Sequence, residues 1–349
     1  MRKNTHIEYL DTLKGMAILL MLIGHCLAWN YDDFLTNIFN GKRSDMFWWH
    51  IIYSFHMPLF FWISGYLLPR QSFEFNDLKR LIIKRTYTLL IPFICSGTLM
   101  NFLTNGEGYS NLWFLRSLYE LTIIGLLYEY IRNKYHLGIK SDLLVFSTLC
   151  IIIGIASKLS INKEISDLLD LSSISGKNYI GFIFGIFCKR YIKIKKWLDS
   201  NYVYTVCLSL FTILTCSFFL YLDHHKFIHY LFLLTPISAI VCMVYISIHK
   251  INQENRITHM LNYVGKYSLE IYIVHFLFGI RLFPITDYAT QMIHSEYWRD
   301  ILWGHTFMLL TSFLYSAILI VICIPIIQII RTSNILSVIL LGRRNTPQQ

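Results

Sequence analysis

Six ionisable side chains stand within long apolar runs of this 349-residue sequence. They are His25, His56, Arg116, Glu120, His275 and Arg281. A charged or titratable group in the hydrocarbon of a membrane is costly, so it usually marks a binding site, a proton relay or a substrate path. Imidazole is the side chain best suited to taking up and releasing a proton near neutral pH. The pattern therefore predicts a polar site within a membrane.

The expected depths of these six residues agree with one another. At 1.5 Å per residue, His25 lies ~20 Å and His56 ~18 Å from the inner ends of their apolar runs. The residues expected at a similar level in two further runs are Arg116, Glu120, His275 and Arg281. Four non-adjacent runs would thus place polar groups in one layer, in the middle to outer leaflet. We expect these groups to share a polar cavity.

Two local features add to this pattern. Lys14 and His25 are 11 residues apart, which puts them about 20° apart around a helix and ~16 Å apart along it. One helix face would then carry a cation at the cytoplasmic boundary and an imidazole deep in the membrane. Pro58 lies two residues after His56 and frees the carbonyl of Ser54, which permits a kink beside a wet cavity.

Each of these residues, taken alone, also has a purely structural explanation. A histidine within a membrane often hydrogen-bonds to a neighbouring helix, and Lys14 could snorkel to the interface. Arg116 and Glu120, four residues apart on a helix, could neutralise each other. Ser64 and Gly65 would serve as a small-residue packing notch. Only the joint pattern favours a functional site.

The composition indicates the kind of fold that must position these residues. Hydrophobic residues make up 55% of the sequence and charged residues only 15%, and the mean hydropathy is +0.48. A soluble domain carries roughly 25% charged residues, so this chain has too little charge to cover a soluble surface. We therefore predict an all-α polytopic integral membrane protein.

Ten apolar runs are long enough to cross about 30 Å of hydrocarbon. They cover residues 12–29, 46–68, 81–103, 112–131, 143–160, 171–192, 203–222, 228–248, 267–285 and 303–330. With both termini in the cytoplasm, and with residues at span ends counted with the adjoining segment, 22 of the 31 Lys and Arg fall in inner segments, seven in outer loops and two deeper within spans, in accord with the positive-inside rule. We expect an uncleaved first span and a single transmembrane domain over 1–349, with no fused soluble domain.

Neither the net charge nor the cysteine pattern indicates a nucleic-acid partner or a metal site. The net charge of +10 is explained by membrane topology, so we expect no nucleic-acid partner. All eight cysteines fall in apolar runs, without C-x-x-C or zinc-ligand spacing. We interpret them as packing residues and expect neither disulfides nor a metal site.

Four sequence elements together resemble the membrane acyltransferase 3 family. Lys14, ten intervening residues and His25 match its first-span signature of Arg or Lys, ten residues and His. Its Phe-Phe-x-x-Ser-Gly element, its Trp-Phe-Leu segment and its late Ser-x3-Tyr-x2-His element are similar to the sequences at 55–67, 112–121 and 264–278. The resemblance follows the chain in order, covers nearly all of it, and is greatest to the branch related to fucose 4-O-acetylases.

The resemblance implies transfer of an acyl group, usually acetyl from cytoplasmic acetyl-CoA, to a hydroxyl of a cell-envelope polysaccharide or lipid-linked sugar. His25 would be the general base or a transient acyl carrier. Arg116 or His56 would donate to the developing oxyanion, and Glu120 stands with Arg116 in the predicted catalytic set. The residues assigned to the acyl donor are Lys14, Phe60, Phe61, Ser64 and Gly65. The residues assigned to the acceptor are Trp113, His275 and Arg281.

Two other function classes stand as alternatives to the acyltransferase. A transporter or exporter of a sugar intermediate would also place polar groups at mid-membrane, although the two halves of the sequence show no inverted repeat. A passive scaffold of a polysaccharide assembly complex would leave the titratable layer without a purpose. For the acyltransferase we expect a multi-pass location in the bacterial plasma or inner membrane, among membrane lipids. The oligomeric state stays open.

Overall fold

The computed structural model of the protein describes residues 5–30, 47–69, 74–103, 108–158, 176–220, 234–249, 255–277 and 301–343. Within these ranges the regular structure is helical and no strand occurs. The helices are α1 (Thr5–Asn30), α2 (Phe47–Tyr66), α3 (Phe75–Arg85), α4 (Ile91–Leu103), α5 (Gly108–Asn111), α6 (Trp113–Lys134), α7 (Ile139–Lys158), α8 (Gly176–Arg190), α9 (Ile192–Leu198), α10 (Asn201–Leu220), α11 (Leu234–His249), α12 (Arg256–Lys266), α13 (Ser268–Leu277), α14 (Ile301–Thr332) and α15 (Asn334–Leu341). A π-helical turn, Thr86–Leu90, joins α3 to α4.

Most of the long helices overlap predicted apolar runs, whereas α5, α12 and α15 lie outside them and α9 begins only where one of them ends. Among the described residues, three stretches are long and apolar enough to cross a membrane, namely Tyr9–Ala28, Phe75–Leu103 and Thr306–Thr332. Shorter apolar helices cover Asn201–Ser217, Leu234–His249 and Ser268–Leu277. The predicted all-helical fold is therefore confirmed for the described residues. The count of ten spans, the sidedness of the termini and the single domain stay predictions.

The chain divides into two compact units. The first comprises Met1–Met57 with Leu198–Ile329, and the second comprises Pro58–Trp197 with Ile330–Gln349. The first division falls within α2, next to the proline that the sequence analysis placed in mid-helix. The helices of each unit pack against one another.

In the first unit, α1 crosses α12 with almost no space between the two backbones. A Cβ atom on Gly265 would stand 1.8 Å from the carbonyl oxygen of Asp11, and one on Gly15 would stand 2.1 Å from that of Leu261. Both positions therefore need glycine, because a methyl group would meet backbone that cannot turn away. The hydroxyl of Thr12 also donates to the side-chain oxygen of Asn262 across this crossing.

Helix α1 is also packed against α2 and α14 of the same unit. Ile23 and Leu27 of α1 form one apolar cluster with Ile52 of α2 and Met308 of α14. Cys26 lies 3.6 Å from the hydroxyl of Ser316, Sγ to Oγ, on α14. Apolar burial of this kind is worth about 25 cal/mol per Å², and here it fixes the rotation of α1 about its axis.

In the second unit, small residues bring α2 and α8 into backbone contact. A Cβ atom on Gly65 would lie 2.0 Å from the carbonyl oxygen of Phe182, and one on Gly185 would lie 2.1 Å from that of Trp62. Gly181 meets the carbonyl of Pro58 in the same way, at 2.5 Å. Small residues at the interfaces of helices in membranes let two backbones approach closely in this way.

A buried ion cluster joins α6, α7 and α8 of the second unit. The carboxylate of Asp142 is fully buried and is paired with Arg190 and with Arg132, the latter at 3.1 Å. Arg190 also pairs with Glu129. The remaining hydrogen bonds to Asp142 come from the hydroxyls of Tyr128 and Tyr191. The buried charge of Asp142 is tolerated because each of its two carboxylate oxygens accepts hydrogen bonds.

Candidate active site

Two predicted site histidines from α1 and α13 meet directly in the first unit. Nδ1 of His25 lies 3.2 Å from Nε2 of His275. The two residues are 250 positions apart in the chain, so the fold alone brings them together. His275 is only 1% exposed, and Phe276 covers the pair, with its ring centroid 4.0 Å from that of His275 and 5.3 Å from that of His25.

The hydrogen bonds determine which nitrogen of each ring carries the proton. Nδ1 of His275 lies 3.1 Å from the carbonyl oxygen of Ile271, and a carbonyl can only accept, so this Nδ1 is protonated. In the neutral ring Nε2 of His275 is then an acceptor. His25 must donate to it from Nδ1, which leaves the lone pair of neutral His25 on Nε2. The pair therefore turns Nε2 of His25 into a base of defined orientation.

His56 of α2 belongs to the same unit and stands close to this pair. The ring of Tyr53 lies 6.3 Å from the ring of His25 and 4.8 Å from that of His56, centroid to centroid. His25, His56 and His275 thus lie near one another within the first unit, whereas their common depth in a membrane stays a prediction.

The hydrogen bonding of His56 indicates the tautomer of its ring, while its expected role at the oxyanion stays a prediction. Nδ1 of His56 lies 2.7 Å from the carbonyl oxygen of Ile52, one turn back on α2. Nδ1 therefore carries the proton, and Nε2 of the neutral ring is an acceptor. A neutral His56 cannot donate from Nε2 to an oxyanion.

Lys14 lies on the same helix as His25 and on the predicted face. Its Nζ is 2.9 Å from the carboxylate of Asp11, and about a quarter of the Lys14 side chain (27%) is exposed. Ile18 and Met21 occupy this face between Lys14 and His25 and are fully buried. Lys14 and His25 therefore share a face, but packed apolar side chains cover the stretch between them.

Arg116 and Glu120 lie on α6 in the second unit and form the expected i, i+4 pair. Nε of Arg116 is 2.9 Å from Oε1 of Glu120, and both side chains are about a quarter exposed. Trp113, at the start of α6, is half-buried and meets the ring of Phe114 edge-on at 6.3 Å.

The residues of α2 assigned to the acyl donor also belong to the second unit, where they have packing contacts. Phe60 and Phe61 lie 5.6 and 5.2 Å from the ring of Phe114. Gly65 makes the backbone contact with α8 described above, and Ser64 is half-buried beside it. Their role in binding CoA stays a prediction. Arg281 lies outside the described residues.

Sequence analysis missed the partner of His25 and the ion cluster. The assignment of His275 to the acceptor stays a prediction, and the structure adds its contact with His25, which the spacing of the two residues did not reveal. Arg132 and Arg190 were counted as evidence for topology, although both bind Asp142. An aspartate among basic residues beside an apolar run is the signal that could have revealed the cluster. Among the described residues, no group of three or more His, Cys, Asp or Glu could hold a metal ion.

Comparison with known proteins gives a family for nearly the whole chain. The profile of the acyltransferase 3 family, described as the acyltransferase domain, matches residues 7–332. One relative is the nodulation protein NolL of Sinorhizobium fredii, which is 36% identical over 88 residues. That stretch is 24% of this chain and only 21% of the length of NolL. No solved structure matches significantly. The chain belongs to the acyltransferase 3 family.

Proposed function

We propose that the protein is a membrane O-acyltransferase that moves an acetyl group from acetyl-CoA to a hydroxyl of a cell-envelope polysaccharide or lipid-linked sugar. The family supports acyl transfer. The observation that carries the mechanism is the pair of His25 and His275, because it provides an oriented base inside an apolar protein. Acetyl as the acyl group and a glycan as the acceptor come from the resemblance to the family branch.

His25 acts as the general base in this mechanism. A sugar hydroxyl is a poor nucleophile while it is protonated, and a base within hydrogen-bond reach accelerates its attack by about 10²- to 10⁴-fold. Nε2 of His25 takes the hydroxyl proton as the oxygen attacks the thioester carbonyl. His275 acts through His25 as a positioning residue, since it accepts the Nδ1 proton and stabilises the imidazolium that forms.

The step balances without any further reactant. A C–O bond forms between the hydroxyl oxygen and the acyl carbon, and the C–S bond of the thioester breaks. The departing thiolate of CoA receives the proton that His25 removed, so the base is regenerated and free CoA leaves. The acyl-histidine alternative would instead place the acyl group on Nε2 before its transfer to the sugar.

Lys14 is our candidate for binding the phosphates of CoA. Its Nζ has three N–H groups, one of which faces Asp11, so two can bind phosphate oxygens. The buried side chains of Ile18 and Met21 must shift if the pantetheine arm is to follow α1 from Lys14 to His25. On the resemblance to the family alone, Arg116 stays our candidate for the oxyanion donor, since a guanidinium is a strong hydrogen-bond donor.

The test is the O-acetyl content of envelope glycans in cells that carry wild type, His25→Ala or an empty vector. Proton NMR before and after mild base measures esters on the glycan, and a tagged protein confirms equal expression. We expect a base-labile acetyl signal with wild type alone. An equal acetyl signal with His25→Ala would show that His25 is not the general base. A wild type that adds no ester but alters glycan export would favour the transporter.

A further inference from the structure

The ring of His56 has one nitrogen for which the described protein offers no partner. The residue is 1% exposed, and its Nε2 is buried without a hydrogen-bond partner among the described residues. Nδ1, in contrast, donates to the carbonyl oxygen of Ile52. Leaving a buried polar atom unpaired costs more than a typical hydrogen bond contributes on balance to stability, so such an atom needs a reason.

The bond to Ile52 also fixes what Nε2 can do. With the proton on Nδ1, Nε2 of the neutral ring has a lone pair and no hydrogen. It can accept an N–H or O–H bond, and it cannot bind a carbonyl oxygen or a phosphate. The ring is also held in place by the edge-on contact with Tyr53 at 4.8 Å, so the direction of the lone pair is defined.

The position of His56 links this acceptor to the reacting base. His56 and His25 belong to the same compact unit, and the ring of Tyr53 contacts both. Ile52, whose carbonyl holds His56, packs in one cluster with Ile23 and Leu27 on either side of His25 in the sequence. A ligand whose reacting group reaches His25 would therefore bring its neighbouring atoms towards His56.

We infer that Nε2 of His56 accepts a hydrogen bond from an N–H or O–H group of the bound substrate, next to the group that reacts at His25. The inference rests on the proposed function, since it presumes a substrate at His25. His56 would then be a binding and specificity residue. Two sources offer this donor chemistry, an amide N–H of the pantetheine arm of acetyl-CoA and a second hydroxyl of the acceptor sugar.

Three substitutions separate the two nitrogens of the ring. In His56→Asn the amide N–H replaces Nδ1 towards Ile52, while the Nε2 acceptor is lost. In His56→Gln the amide oxygen can reach the position of Nε2 and restore the acceptor. His56→Phe keeps the ring and removes both nitrogens. A matched control is His249→Asn, since His249 is 39% exposed and pairs with Asp199.

The experiment compares these variants as full-length protein in lipid nanodiscs and in cells. Calorimetry with acetyl-CoA measures donor binding, and glycan O-acetyl content measures transfer. We expect His56→Asn and His56→Phe to lower either the affinity for acetyl-CoA or the acetyl transfer to the glycan by about 10-fold. His56→Gln should recover most of that loss. Weaker acetyl-CoA binding identifies the donor amide as the partner. Unchanged binding with lower transfer identifies the acceptor hydroxyl.

Several outcomes would overturn the inference. If His56→Asn equals wild type and the His249→Asn control in both measurements, Nε2 has no ligand. If His56→Asn does not fold, His56→Gln and His56→Phe decide, and equal activity of these two would also contradict an acceptor role. A wild type that neither binds acetyl-CoA nor adds an ester would refute the proposed function itself, which is a distinguishable result.

Discussion

At the scale of single residues, the proposed base depends on how His25 and His275 share protons. Nδ1 of His275 donates a hydrogen bond to the carbonyl oxygen of Ile271, so Nε2 of His275 accepts one from Nδ1 of His25. Two protonated imidazoles at 3.2 Å would repel each other strongly, so the pair can take up one proton but not two. This property suits a base that gains and returns a proton in each turnover.

Replacing His275 tests the positioning role. We expect His275→Phe to lower kcat by about 10²-fold, because His25 loses the acceptor that selects its tautomer. His275→Gln keeps a side-chain oxygen that can accept from Nδ1 of His25, so its loss should be smaller. The KM for acetyl-CoA should change little in both. The measurement is the rate of acetyl transfer at saturating acetyl-CoA in purified membranes.

A merely structural role would give another result. If His275→Phe and His275→Gln lowered transfer equally and in proportion to the amount of folded protein, His275 would only stabilise the helix packing. A rise in the KM for acetyl-CoA with unchanged kcat would instead assign His275 to substrate binding.

At the scale of helices, the crossing of α1 and α12 holds the helix that carries His25. We expect Gly265→Ala to destabilise the protein by about 3 kcal/mol, because its Cβ would stand 1.8 Å from the carbonyl oxygen of Asp11. The matched control is Gly138→Ala, where nothing lies within 4 Å of the added Cβ. Thermal unfolding in detergent measures both, and equal midpoints would contradict the packing described here.

The ion cluster of α6, α7 and α8 provides a second prediction at this scale. We expect Asp142→Ala to cost about 3–5 kcal/mol, because Arg190 would keep its charge in a buried position without that partner. The control is Asp77→Ala, since Asp77 pairs with Arg80 on the surface, where a pair is worth at most about 1 kcal/mol. Equal thermal midpoints for the two variants would refute a stabilising cluster.

The same cluster predicts a pH dependence of stability. Burial by itself would raise the pKa of Asp142, but the hydrogen bonds to its carboxylate and the charge of Arg190 outweigh burial and hold that pKa below its usual value. Because the unfolded value is about 3.9, the stabilisation is complete at neutral pH and is lost as the pH falls below about 4. The thermal unfolding midpoint of wild type should therefore decrease as the pH is lowered below about 4. The midpoint of Asp142→Asn should decrease less.

The sequence was informative where a single apolar pattern determines the structure. The runs around 12–29 and 303–330 are long enough that only a helix satisfies their backbone in a membrane, and α1 and α14 confirm this. The spacing of Lys14 and His25 follows from helical geometry, and the structure places both on the predicted face. What the pattern could not supply is the partner of each residue, because His25 and His275 are 250 positions apart.

At the scale of the whole molecule, the distribution of charge makes a prediction about sidedness. Ten spans with both termini in the cytoplasm place 22 of the 31 Lys and Arg on the inner side. A green fluorescent protein fused after residue 349 should therefore fluoresce, and alkaline phosphatase at the same point should be inactive. Active phosphatase at the C-terminus would require an odd number of spans or an external N-terminus.

The proposed role of His25 as the base of an acetyl transfer can be measured by following a labelled acetyl group from acetyl-CoA into the glycan. Inverted membrane vesicles that contain the protein are incubated with acetyl-CoA labelled with ¹⁴C in the acetyl group, and the glycan fraction is counted before and after mild base. The account predicts base-labile label with wild type and a loss of at least about 10²-fold with His25→Ala. Label that enters the glycan equally with His25→Ala would contradict it.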